Sequence, residues 1–400
     1  MPASSLIGET SGGIETILKA LQVTRTLCAG FSLGAYDTAL RATLDFALAR
    51  RLYRGTVLDI PYPREILLEC FLDLLACDCV ATAGARALQT APARMSAWSS
   101  VVKVFVPTTT EASVQRLSTV LGARFYMREG HWGGLFQKLL RDNAVVSLFD
   151  GSTAVNLEVI ALQLPRLLRE GVNRESVEGD YIAKTFDLTE AMPPIRFEAL
   201  ELMGRASCAV LGTFDRAAGH LAESMPELSE EIGATLARLL DSLRERVVNL
   251  REEVRSESGI ERASGRPSAK RFRQAQAYCT LHAAAVCLNI WLHSRRHLEG
   301  FFRDGAWLVL CMRRLLGEES SALPAATLRR WQEECLSEML RLHHENFSFS
   351  LFPVELPTHT GGDPLNKESV GRDEQAPLIL RGGVEREGAV ANRGMSSAVE

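Results

Sequence analysis

The sequence predicts an all-α protein, and three observations carry that prediction. Apolar residues recur three or four positions apart almost throughout the chain. No stretch of useful length alternates apolar and polar residues as a strand would. Hydrophobic residues make up 46% and charged residues 24% of 400, enough apolar material for a sizeable core and for two or three domains.

Residues 14–50 carry Ile14, Ile17, Leu18, Leu21, Cys28, Phe31, Leu40, Leu44 and Leu48, mostly three or four apart, so a single helix is expected there. Gly30 and Gly34 interrupt it and point to close approach by another helix or a ligand, because glycine inside a helix is otherwise a cost. After Pro61 and Pro63, a second helix should run from Arg64 to Leu88. A third covers 93–121, with a kink expected at Pro107. A Gly- and aromatic-rich loop, 129–134, precedes Arg141 and Asp142, and a last helix follows Asp150, Gly151 and Ser152. These elements define a first bundle over 1–171. Residues 172–194, short of apolar repeats and closed by Pro193 and Pro194, read as a linker. A second helical domain over 195–350 begins with the clearest amphipathic stripe in the chain: Ile232, Leu236, Leu239, Leu243, Val247, Leu250 and Val254. The remainder, 351–400, should be a disordered tail, since 361–400 has seven glycines and no aromatic residue.

Charge and cysteine usage exclude several functions. With 45 basic and 49 acidic side chains the net charge is −4, which provides no field for nucleic acid. The start, Met1 to Ser5, lacks the basic-then-apolar pattern of a secretory signal. The longest apolar runs, near Ala283–Leu292 and Ala306–Met312, are too short for a transmembrane segment. The nine cysteines form no Cys-x-x-Cys pair and sit in apolar patterns, so they are expected to be reduced core residues of a cytoplasmic protein. No metal site is expected: His293 and His297 are four apart on a helix, but no carboxylate at ligand spacing joins them.

An ordered set of motifs runs through the first bundle. It comprises Leu6, Gly8, Glu9, Gly12 and Gly13; Leu21 to Arg25; Leu33 to Leu40; and Phe46 to Tyr53. Leu121 and Gly122, Leu140 to Asp142, and Phe149 to Ser152 complete it. In order and spacing this set resembles the C-terminal helical domain of acyl-CoA dehydrogenases, over roughly residues 6–165. The resemblance implies an FAD-dependent enzyme acting on an acyl-CoA thioester. A carboxylate would remove the proton beside the carbonyl while the flavin takes a hydride from the next carbon. It places that base at Asp150, before Gly151 and Ser152, with the backbone N–H of the same residue on the thioester oxygen. Arg50, Tyr53, Thr119, Gly122 and Ser152 fall at flavin-binding positions, and Arg25 at a position near the acyl-CoA. A guanidinium such as that of Arg50 suits a pyrophosphate because it presents several donors in a fixed fork. In such enzymes an N-terminal helical domain and a β-domain come first, and here Leu6 already belongs to the C-terminal domain. The expectation is therefore an incomplete site and a homo- or hetero-oligomer with a chain supplying the β-domain. Very-long-chain relatives append a further helical domain linked to dimer and membrane contacts, and 195–350 matches it in architecture.

Departures from the pattern point the other way. Tyr53 and Arg54 stand where the family has Phe-Gly, Thr119 replaces a glutamine, and Ala123 and Phe125 replace glycines. They leave open a non-catalytic helical scaffold, a dimerisation protein built on the same fold. Plain structural roles are also open. Asp150 could be a helix N-cap, Arg50 and Arg51 solvated charges at a helix end, and Arg141 with Asp142 an ion pair. The basic run Arg262, Arg266, Lys270, Arg271 and Arg273 reads as a solvated loop and helix start, and Trp291, Trp307 and Trp331 as core.

Overall fold

A computed structural model describes residues 2–357, other than 7, 10, 170–174, 205–207, 213, 257–266 and 319–322. Among the described residues the chain is helical, as expected, apart from one small hairpin and an isolated bridge. The helices are α1 (Gly13–Leu27), α2 (Ala29–Ala49), α3 (Pro61–Thr90), α4 (Met95–Leu121), α5 (Leu135–Val146), α6 (Thr153–Leu167) and α7 (Glu175–Phe186). They continue with α8 (Ala209–Gly212), α9 (Phe214–Ser224), α10 (Glu230–Ser256), α11 (Ala269–Ser294), α12 (Gly300–Asp304), α13 (Ala306–Leu315) and α14 (Ala325–His344). The hairpin pairs β1 (Arg51–Leu52) with β2 (Gly55–Thr56), Arg51 opposite Thr56.

The single helix expected over 14–50 is two helices. The chain tightens at Cys28, where the Phe31 N–H bonds the Cys28 carbonyl three residues back at 3.1 Å. Gly30 and Gly34 lie within α2, and a Cβ at either would meet nothing within 4 Å. The expected close helix approach is therefore absent within the described chain. It occurs instead at Gly84 of α3, where a Cβ would come within 2.5 Å of Val102 of α4. Helix α4 runs unbroken through Pro107.

The stretch 172–194, read as a linker, contains α7. Arg86 of α3 explains why it is held: its guanidinium donates to the carbonyls of Lys184 and Thr185 at 2.8 and 2.9 Å, and to that of Asp187 at 2.5 Å. These are carbonyls that a helix end leaves unpaired. The helices on either side of this stretch share one core, with α11 packed on α3, α6 and α10, and the described residues form one compact unit. A partly buried ion network fixes the junction: Asp73 of α3 accepts from Arg116 of α4 at 3.1 Å and from Arg314 of α13 at 2.6 Å.

Residues 351–357, assigned to the tail, are ordered against the bundle. Phe347 bridges Glu355, and the Phe349 N–H donates to Asp37 at 2.9 Å. Asp78 of α3 is half-buried and accepts from the Ser350 hydroxyl at 2.7 Å. Residues 358–400 lie outside the described residues, as do Arg262 and Arg266 of the basic run. Trp291, Trp307 and Trp331 are core residues, and all nine cysteines are free and buried. Arg141 and Asp142 do not pair with each other. Arg141 donates to Gln137 at 2.6 Å, and Asp142 accepts from Lys138, each one turn away on α5.

Candidate active site

The turn between α5 and α6 is where the sequence places its chemistry, and backbone geometry sets it apart. Asp150 has φ +54° and Gly151 φ +95°. Asparagine and aspartate tolerate the left-handed region better than most residues, yet such a conformation still has to be held by its surroundings. Four contacts hold it. The Thr153 N–H closes onto the Ser147 carbonyl at 3.0 Å. The Asn156 side chain donates to the Gly151 carbonyl at 2.8 Å. Ser147 donates to Glu111 of α4. Arg25, buried on α1, donates its Nε to the Asp150 carbonyl at 2.8 Å. A Cβ at Gly151 would come within 2.8 Å of that guanidinium, so glycine is required here for close approach as well as for its φ.

The helix cap is Ser152, whose hydroxyl accepts the Val155 N–H at 3.4 Å, and Asp150 plays no capping part. Its carboxylate instead faces Cys28, whose thiol donates to Oδ2 at 3.5 Å from the α1–α2 break. Among the described residues no backbone acceptor takes the Asp150 N–H. Two cations back the turn. Burial pushes the Arg25 guanidinium down from its ordinary value, and the Asp150 charge acts against that. Lys103, in mid-α4, is 1% exposed. Its ammonium donates to the Val146 carbonyl at the end of α5 and lies 4.3 Å from the centre of the Phe149 ring. Burial lowers the Lys103 ammonium, while Cys28 and Asp150 raise it. Burial raises the Cys28 thiol. Beside the turn lies an open apolar groove walled by Phe31, Val145, Val146 and Phe149 and floored by Gly30 and Gly34.

Of the residues singled out in the sequence, the structure brings Arg25, Asp150 and Ser152 to this turn. The others lie on open surface. Arg50 is the exposed C-terminal residue after α2, and Tyr53, at φ +57°, is 99% exposed at the hairpin tip. Thr119 donates to the Arg116 carbonyl at 2.7 Å within α4. Gly122 has φ +57°, and a Cβ there would meet nothing within 4 Å. As a fit to FAD, the exposed Arg50 guanidinium and the open Gly122 turn suit the phosphate-bearing end, while a residue as exposed as Tyr53 covers no ring.

Lys103 and Cys28 are functional-site neighbours that the sequence reading passed over. Lys103 had a signal: it is the only charge between Ala97 and Thr110, in a run otherwise of Val, Phe, Trp, Ser, Pro and Thr. Cys28 had none. The His293–His297 spacing does not survive, because α11 ends at Ser294 and His297 belongs to a 3-10 turn. His293 meets His220 instead, ring centres 5.0 Å apart. Among the described residues no helix is long and apolar enough to cross a membrane.

Residues 11–164 match the family profile described as "Acyl-CoA dehydrogenase, C-terminal domain". No curated protein sequence matches the chain. Among solved structures, Caenorhabditis elegans ACDH-11 in complex with C11-CoA is 14% identical, with 80% of this chain and 46% of that one covered and a TM-score of 0.46. An acyl-CoA dehydrogenase complexed with FAD from Bacillus anthracis is 14% identical over 86% of this chain and 59% of that one, TM-score 0.43. Acyl-CoA oxidase-1 of C. elegans, complexed with FAD and ATP, is 12% identical over 81% and 48%, TM-score 0.48. The chain thus spans about half the length of these solved structures.

Proposed function

We propose that this chain, whose residues 11–164 match the acyl-CoA dehydrogenase C-terminal domain profile, carries the base-bearing half of an acyl-CoA-oxidising flavoprotein site. The observation that carries the reading is the Asp150 turn. A left-handed aspartate, its carbonyl fixed by Arg25 and its N–H free of any backbone acceptor, stands beside an apolar groove. An acyl chain lies in that groove against Phe31, Val146 and Phe149. The Asp150 N–H donates to the thioester oxygen, where enolate-like charge grows. The Asp150 carboxylate takes the proton from the carbon beside the carbonyl. Arg25 does not touch substrate in this scheme. It fixes the carbonyl of the base residue, so its expected substrate role becomes a positioning one.

A bound FAD would supply the hydride acceptor. Arg50 would hold its phosphates from the hairpin side, with Gly122 leaving room for close approach. The ring would be covered by a surface this chain does not present around Tyr53, which is the reason to expect a partner or a further domain carrying a β-domain.

The test is anaerobic flavin reduction by acyl-CoA in the assembled complex. Asp150→Asn keeps shape and folding and removes the basic charge, so reduction should slow by roughly a hundredfold to ten-thousandfold. Aspartate reaches about 1.5 Å less far than glutamate would, so Asp150→Glu should retain or raise the rate. An asparagine variant as fast as the parent would remove Asp150 from the chemistry.

A second reading has its own observation. Ile14, Ile17, Leu27 and Phe31 are exposed on α1 and the start of α2, the kind of apolar surface a helical scaffold uses for dimerisation. That reading requires no flavin, and a chain that assembles through this face yet never binds FAD or acyl-CoA would favour it.

A further inference from the structure

We propose that Lys103 is the positioning residue of the 147–152 turn: its buried ammonium ties the end of α5 to the Phe149 ring and thereby aims the Asp150 carboxylate. The proposal rests on reading Asp150 as the base. A lysine ammonium is costly to bury and is almost never buried without compensation. Here it is compensated entirely by the turn and its neighbours. The Val146 carbonyl is one of the unpaired acceptors at the C-terminus of α5, where a cation is also favoured by the helix dipole. The Phe149 ring offers its face at 4.3 Å. The Asp150 carboxylate acts on the ammonium favourably, and Arg25 acts against it. Lys103 and Arg25 hold adjoining parts of the turn, Val146 and Phe149 by the one and Asp150 by the other. Two helices, α4 and α1, thus both hold the turn at the base. A methionine or leucine would fill the same space in α4 without this grip. The charge also matters. Arg25, Lys103 and Asp150 together carry a net positive charge, which suits a site where negative charge develops on a bound thioester.

Amide hydrogen exchange of the full-length chain tests this without needing an assembled enzyme. Lys103→Met, close in length and uncharged, should speed exchange at the hydrogen-bonded amides of Leu148, Phe149 and Thr153 about tenfold to a hundredfold, the loss expected for one charge-assisted hydrogen bond. Exchange in α10 and α11 should stay within about threefold of the parent, and Lys103→Arg should restore much of the protection at the turn. Unchanged exchange at these three amides, or an equal rise everywhere as from a merely structural lysine, overturns the proposal. Should the Lys103 variants not fold, the parent lysine can be followed by nitrogen-15 NMR of its ammonium. Asp150→Asn should then move the Lys103 titration further below its ordinary range, and an unmoved titration overturns the proposal. Failure of the base assignment looks different. There Asp150→Asn leaves flavin reduction intact in the assembled complex, while Lys103→Met still loosens the turn.

Discussion

Along α10, Ile232, Leu236, Leu239, Leu243, Val247, Leu250 and Val254 are all buried, whereas along α1 and the start of α2 Ile14, Ile17, Leu27 and Phe31 stay exposed. Both stripes have helical period. The first finds α11 and α13 within the chain. The second stays exposed, and its Phe31 walls the open groove beside the Asp150 turn. A periodic apolar stripe therefore specifies a face that must be covered and leaves unspecified what covers it. The C-terminal layer is a closed core built for stability. The α1–α2 side leaves large apolar side chains exposed, and the candidate turn lies beside it.

The largest effect separating the two regions should come from truncating the closed layer. Trp291 is fully buried on α11, and its indole N–H donates to the Arg303 carbonyl at 3.3 Å. Trp291→Ala should cost about 4 kcal/mol in urea unfolding, enough to leave a marginal protein unfolded. Next comes acid lability, which the same layer should dominate. Burial lowers the His282 imidazole to about 3, and burial beside His220 lowers that of His293 to about 4. An unfolded histidine titrates near pH 6.5. The unfolded chain therefore takes up these protons first. The contribution is complete above about pH 6.5 and is lost as pH falls toward 4 and then 3. Asp78, raised by burial to about 6, acts with the opposite sign, its contribution shrinking as pH rises through that value. Comparing His282→Phe with the parent isolates the histidine: the acid slope should flatten by up to about 1.4 kcal/mol per pH unit. An unchanged slope would mean that His282 is solvated.

At the turn itself, Gly151→Ala should cost about 2 kcal/mol, because the new methyl meets the Arg25 guanidinium and the backbone keeps φ +95°. Thermal melting reads this. Phe31→Asp should be the mildest for the isolated chain, within about 0.5 kcal/mol. It should nonetheless abolish assembly with a second copy or a β-domain partner, followed by light scattering. A Phe31 variant that destabilises the chain as much as Trp291→Ala would erase the contrast between the two regions.

Helix identity was legible from spacing, because burial on a helix follows its period. The seven-residue stripe of α10 and the three tryptophans appear in the structure as the core they promised to be. Tertiary hydrogen bonds were not legible. The helix α7 hides in a stretch poor in apolar repeats because Arg86, far away on α3, supplies the partners for its end. Likewise Phe349 and Leu351 pack onto the bundle through Asp37 and Asp78, which no local pattern in the last fifty residues announces. At the site, Asp150 and Arg25 were found through motif order. Their contact, a side chain on α1 reaching a carbonyl 125 residues later, is a product of packing alone. Lys103 could have been noticed as a lone charge in an apolar helix, and Cys28 could not.

The most direct measurement of the half-site is FAD retention by the chain on its own. Purified protein, incubated with excess FAD and passed through gel filtration, is read by flavin absorbance against protein concentration. Far less than one flavin per chain should remain, because in the proposed site Arg50 and Gly122 would offer only the phosphate side and Tyr53, 99% exposed, would leave the ring uncovered. Co-expression with a β-domain chain should then give a stoichiometric yellow complex. A full equivalent of FAD retained by the chain alone would contradict the division of the site between this surface and another.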